Sequence, residues 1–125
     1  MTLIDNSKIF LEGVYVDVEV ALAANETLAK GTVLGRKATG ELVAFNSTNT
    51  GSEPIYILAQ DVTNETNEAT SIDMVRVFDG GVVNKAKLIF ANADDASDVT
   101  VLDALKANGF KLEVVQEMGA RTSLQ

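Results

Sequence analysis

Val14-Tyr15-Val16-Asp17-Val18-Glu19-Val20-Ala21-Leu22 alternates without a break between two kinds of residue. Val14, Val16, Val18, Val20 and Leu22 fall on one face, and Tyr15, Asp17, Glu19 and Ala21 on the other. Successive side chains of an extended chain point to opposite faces, so this period of two predicts a half-buried β-strand. Asp17 and Glu19 suit the wet face of an edge strand, where charge discourages unwanted pairing. The same two acids are also a candidate for glycoside chemistry, which needs a pair of carboxylates across a cleft.

Working downstream, short strands alternate with turns. Gly31 and Gly35 bracket Thr32-Val33-Leu34, and Leu42 to Phe45 is a second apolar piece. Pro54 opens Ile55-Tyr56-Ile57-Leu58-Ala59. Proline at the first position of a strand removes no ladder bond, and the unbroken apolar run predicts cover on both faces. Ile72 to Phe78 reads as another strand, Asp79-Gly80-Gly81 as a hairpin turn, and Val82-Val83 as its resumption. Leu88-Ile89-Phe90 is expected to be a short buried strand. Asn46–Glu53 and Thr63–Ser71 are polar loops, expected at the outer surface.

One helix is expected, from about Asp98 to Ala107. Ser97 or Asp98 can cap it, and Val99, Leu102 and Leu105 share a face. Gly109 sits where a left-handed residue ends a helix, with Phe110 packing back on Leu105. Upstream of Val14, the segment Met1 to Gly13 has no sustained period and reads as an arm. Leu112 to Gln125 reads as a tail. The fold class is therefore mainly β with one short C-terminal helix, an α+β chain in one domain.

Composition narrows the chemistry. The chain has 125 residues, 10 Lys+Arg against 18 Asp+Glu, a net charge of −8, and no Cys, His or Trp. Disulfides, Cys/His zinc sites and His- or Cys-based catalysis are excluded by that inventory. The acidity opposes nucleic-acid phosphates, and Arg36-Lys37 is the only adjacent basic pair. No apolar run reaches the ~18 residues of a membrane span, and the N-terminus lacks a secretory pattern, so cytoplasmic synthesis is expected. Asn92, Asp94, Asp95 and Asp98 could be cation ligands or simply a charged helix entry; their spacing is not that of an EF-hand. Gly31-x-x-x-Gly35 followed by Arg36-Lys37 lacks the Gly-Lys-Ser/Thr of a phosphate loop. No serine lies in a nucleophile elbow. The residues offer no cofactor site, and function is to be sought in binding or assembly.

Several segments, taken in order, resemble one family. Thr27-Leu28-Ala29-Lys30-Gly31-Thr32-Val33-Leu34-Gly35 resembles the x-L-x-x-G-T-V-L-G stretch of the lambda-type phage head decoration proteins. Pro54-Ile55-Tyr56-Ile57-Leu58-Ala59-Gln60-Asp61-Val62 resembles their P-x-x-I-L-A-x-D-V segment. Val75 to Val83, Leu88-Ile89-Phe90 and Leu105-x-x-x-Gly109-Phe110-x-Leu112 resemble the remainder. Together they cover residues 14–112, with Gly31, Thr32, Val33, Leu34, Gly35, Pro54, Ile57, Leu58, Ala59, Asp61, Val62 and Gly109 as the motif residues.

That resemblance implies a small mixed β-barrel or β-tulip-like domain over 14–112, an arm over 1–13 and a tail over 113–125. It implies a homotrimer on the outer surface of an expanded phage head, at threefold and quasi-threefold positions. There it would bind the major capsid protein and hold the shell against packaged DNA, with no catalysis, nucleic-acid contact or membrane contact. The arm would dock by strand addition through Leu3, Ile4, Ile9, Phe10 and Leu11. The Gln116–Gln125 stretch runs past the family's usual end. The alternatives are a small cytosolic ligand-binding β-barrel, which needs an interior cavity, and an acid-dependent hydrolase domain.

Overall fold

In the computed structural model, residues 10–47 and 54–113 are described. The alternating stretch forms the middle and end of a longer strand, β1 (Phe10–Leu22). It is followed by β2 (Thr27–Leu28), β3 (Val33–Arg36), β4 (Leu42–Ala44), β5 (Pro54–Leu58), β6 (Val62–Thr63) and the long β7 (Thr70–Asn84). Two 3-10 turns, Lys85–Lys87 and Ala93–Ser97, lead to α1 (Val99–Ala107), and β8 (Phe110–Glu113) closes the described chain. The chain is mainly β with one helix near the C-terminus, as its patterning requires.

The main sheet has the order β1-β7-β5-β3-β4, with β8 added parallel to the end of β7; β2 and β6 form a separate ribbon. Three strands carry adjacent buried apolar pairs: Val33/Leu34, Ile57/Leu58 and Val77/Phe78. Neighbouring strand residues face opposite ways, so each pair anchors one residue in each of two cores. Leu34, Leu58 and Val77 join Val20, Leu22, Leu28, Val62 and Val75 on one face, which the β2–β6 ribbon covers. Val33, Ile57 and Phe78 join Phe45, Val83, Val101, Leu105 and Phe110 on the other, which the helix covers. The expectation that the Ile55–Ala59 run is covered on both faces holds for Ile57 and Leu58.

Several boundaries differ from the sequence reading. β1 begins at Phe10, with Phe10 opposite Val83 and Glu12 opposite Val82, so residues 10–13 are strand rather than arm. Alternation alone missed this because a bulge between Phe10 and Glu12 breaks the period. Val14 is 62% exposed, although it shares parity with the buried Val20 and Leu22. The Asp79-Gly80-Gly81 hairpin turn does not form. β7 runs straight through, with Gly80 and Gly81 at φ 122° and 131°, and three residues of β7 span the step that two residues of β1 make from Gly13 to Tyr15. The glycines form a bulge because the strand continues to pair with β1 on one side and β8 on the other. Leu88-Ile89-Phe90 is no strand: Ile89 makes a single bridge to Thr32, while Leu88 and Phe90 pack on the helix-side core. On the helix, Val101 is buried with Leu102 and Leu105, and Val99 at its start is exposed. Leu112 and Glu113 are strand rather than tail. The barrel expected from resemblance is not closed by pairing, since β1 and β4 end the strand order and do not pair with each other among the described residues.

Candidate functional site

The two longest family motifs run side by side. Thr27 pairs with Thr63 and Leu28 with Val62; Val33 pairs with Ile57 and Leu34 with Tyr56. Between these ladders the chains cross from the ribbon to the sheet, and hydrogen bonds continue through the crossing. Lys30 N–H donates to Asp61 Oδ1 (2.7 Å), Gly31 N–H to Leu58 C=O (2.9 Å), and Leu58 N–H to Thr32 C=O (2.9 Å). Gly31 sits at φ 97°, where a side chain would be strained. Buried Thr32 donates its hydroxyl to Ala29 C=O at 2.6 Å. Gly35 pairs with Val43 on one side and Pro54 on the other. Ala59 N–H continues toward β7 by donating to Arg76 C=O at 3.0 Å.

Gly109 completes the set at the helix end. At φ 96° it donates to Lys106 C=O (3.1 Å) and accepts from Gly81 N–H (3.1 Å). Asn108 donates its side-chain amide to Pro54 C=O (3.0 Å). Gly31, Thr32, Val33, Leu34, Gly35, Pro54, Ile57, Leu58, Ala59, Asp61, Val62 and Gly109 therefore build the frame. None of them forms a reactive cluster.

The acids behave likewise. Asn92 Oδ1 accepts from Asp94 N–H, Asp98 Oδ1 caps Thr100 N–H, and buried Asp95 accepts from the Ser47 N–H (3.1 Å) and hydroxyl (2.5 Å). These carboxylates and amides hold turns, and among the described residues no group of acids is gathered as a metal site. Asp17 faces Arg76 at 3.8 Å on the exposed face of β1 and β7, where Arg76 also lies 5.6 Å from the Tyr15 ring centroid. A surface groove of about 460 Å³ separates β1 from the β3–β4 connection, lined by Val18, Glu19, Arg36, Gly40, Glu41 and Leu42 among others. It is a gap between two sheet edges, open to solvent.

The geometry instead distinguishes the two ends of the β1–β7 ladder. At one end Phe10 lies opposite Val83, and Asn84 opposite Glu113 of β8. The chain enters β1 and leaves β8 there. At the other end Leu22 lies opposite Thr70, and the Ala23–Glu26 turn meets the polar loop 64–69. That loop is not loose. Buried Asn64 donates to Ala23 C=O and Glu68 C=O and accepts from the Thr66 N–H and hydroxyl, while its own N–H bonds Glu26 C=O. Sequence reading missed Asn64; an asparagine in a polar run carries no sign that it will be enclosed. The one available signal was its position two residues before Thr66, the spacing of a local side-chain turn.

Of the arm residues, Leu3, Ile4 and Ile9 lie outside the described residues. Phe10 and Leu11 lie in the first turn of pairing of β1. The loop positions 48–53 and the tail from 114 onward are likewise outside them. A search of curated proteins finds no match. The family model of the bacteriophage lambda head decoration protein D matches residues 5–110, most of the chain. That span takes in both paired motifs, the helix and the glycine that ends it, so the chain belongs to the bacteriophage lambda head decoration protein D family, a structural family of the phage capsid.

Proposed function

We propose that this protein is a cement for the phage head. It binds as a homotrimer to the outer surface of the expanded shell, at threefold and quasi-threefold positions, and holds neighbouring major capsid proteins together against packaged DNA. It is made in the bacterial host cytoplasm and works without catalysis, cofactor or nucleic-acid contact. The observation that carries the reading is the family match over residues 5–110, which includes part of the segment before β1.

Two features support the orientation. The N-terminal segment enters at the Phe10/Val83 end of the ladder, and the Asn64-organised polar knob lies at the Leu22/Thr70 end. A strand of thirteen residues places those ends up to about 40 Å apart. The arm, with Leu3, Ile4 and Ile9, reaches the capsid by strand addition, where main-chain bonds give affinity and alternate side chains fill pockets. The polar knob faces solvent. Three arms per trimer add avidity, and the acidic body keeps free trimers apart in solution.

The test is deletion of residues 2–9, which leaves β1 intact. The shortened protein should melt like the full chain and remain trimeric by light scattering, yet fail to decorate expanded heads. Normal decoration by the deletion variant would disprove the arm's role, and a monomeric full-length chain on the heads would disprove the trimer.

A further inference from the structure

We infer that residues 114–125 form a second attachment segment for the capsid protein, acting beside the N-terminal arm. This rests on the decoration reading above. The first ground is register. β1 runs antiparallel to β7 and begins opposite Val83; β8 runs parallel to β7 and ends opposite Asn84. The chain therefore enters β1 and leaves β8 at the same end of β7, on either side of it, two strand spacings or about 10 Å apart. A partner edge that meets one segment is within immediate reach of the other.

The second ground is where the family match stops. It ends at residue 110, whereas the chain continues to Gln125. Phe110–Glu113 are used within the fold as β8, which pairs with β7. Twelve residues then remain, Val114-Val115-Gln116-Glu117-Met118-Gly119-Ala120-Arg121-Thr122-Ser123-Leu124-Gln125. They are more than the sheet needs, and they carry apolar Val114, Val115, Met118 and Leu124.

The third ground is charge. Residues 1–9 hold one acid and one base, Asp5 and Lys8; residues 114–125 hold Glu117 and Arg121. The whole side-chain charge of −8 thus falls on residues 10–113. The two end segments are neutral and apolar-bearing, while the body they leave is acidic. That division suits segments that bind through main-chain bonds and apolar side chains, with the body kept in solvent. The occupant is accordingly a sheet edge with apolar pockets on the major capsid protein. Binding through it should depend weakly on salt, since no net charge is neutralised.

The experiment compares the full chain with a variant ending at Glu113, which keeps β8, in co-sedimentation with expanded heads. The truncated protein should show unchanged melting and bind about tenfold or more weakly, with the loss little altered by raising salt. On the full chain, the Arg121–Thr122 bond should resist trypsin on heads and be cut in free protein. Equal binding by the truncated protein, together with equal cutting on and off heads, would overturn the inference while leaving decoration intact. Failure of the full chain itself to bind expanded heads would instead overturn the decoration reading on which it rests.

Discussion

Gly13 shows how little of a packing requirement a sequence displays. It lies in β1 opposite Gly81, and a Cβ there would overlap the Phe78 ring, with Gly80 O only 3.3 Å away. Phe78 is nearly fully buried and stacks at 4.3 Å centroid distance against Tyr15, so the ring has little room to yield. Gly13→Ala should destabilise the fold by about 1–3 kcal/mol through overpacking, read as a lowered urea midpoint with unchanged slope. A glycine before a strand looks like the end of an arm; its function as a platform for an aromatic ring 65 residues away is set by tertiary contact alone. Asn64 is the polar counterpart. Asn64→Ala removes the partner of two main-chain carbonyls and of Thr66, and should cost about 1–3 kcal/mol. Hydrogen exchange should then rise across 23–26 and 64–69 before it rises in β5.

At the scale of elements, the family motifs were legible because their constraints are local. Alternation marks β1, a leading proline marks β5, and a glycine after an amphipathic run marks the end of α1. β7 was misread for the same reason. Asp79-Gly80-Gly81 has the composition of a turn, and only the presence of β1 and β8 on either side keeps the strand extended through it. Its second irregularity, at Asp73-Met74, is invisible in composition: Met74 adopts φ 58° while exposed, and the extra residue returns Ile72 to the core face shared with Val75. Met74→Gly should therefore stabilise or leave stability unchanged, within about 1 kcal/mol, by relieving the left-handed backbone. Gly80→Ala should do the opposite by about 1–3 kcal/mol, since φ is 122° and Gly109 O lies 3.3 Å from the new Cβ. Thermal melts of the two variants, run together, check both signs. The parallel β8 was missed because four residues of mixed polarity carry no period of their own.

At the scale of the whole molecule, the buried acids and motif glycines serve architecture, and the functional burden falls on the chain's ends and on the two poles of the β1–β7 ladder. An acidic, catalytically empty inventory was readable from composition. The polarity of the molecule was not, because it depends on which ends of β1, β7 and β8 coincide. The most direct test of the account is co-sedimentation of the full-length protein with expanded and unexpanded phage heads. Saturable binding to expanded heads, at three copies per threefold or quasi-threefold position and with little binding to unexpanded ones, is the predicted result. Equal binding to both forms, or to neither, would contradict it.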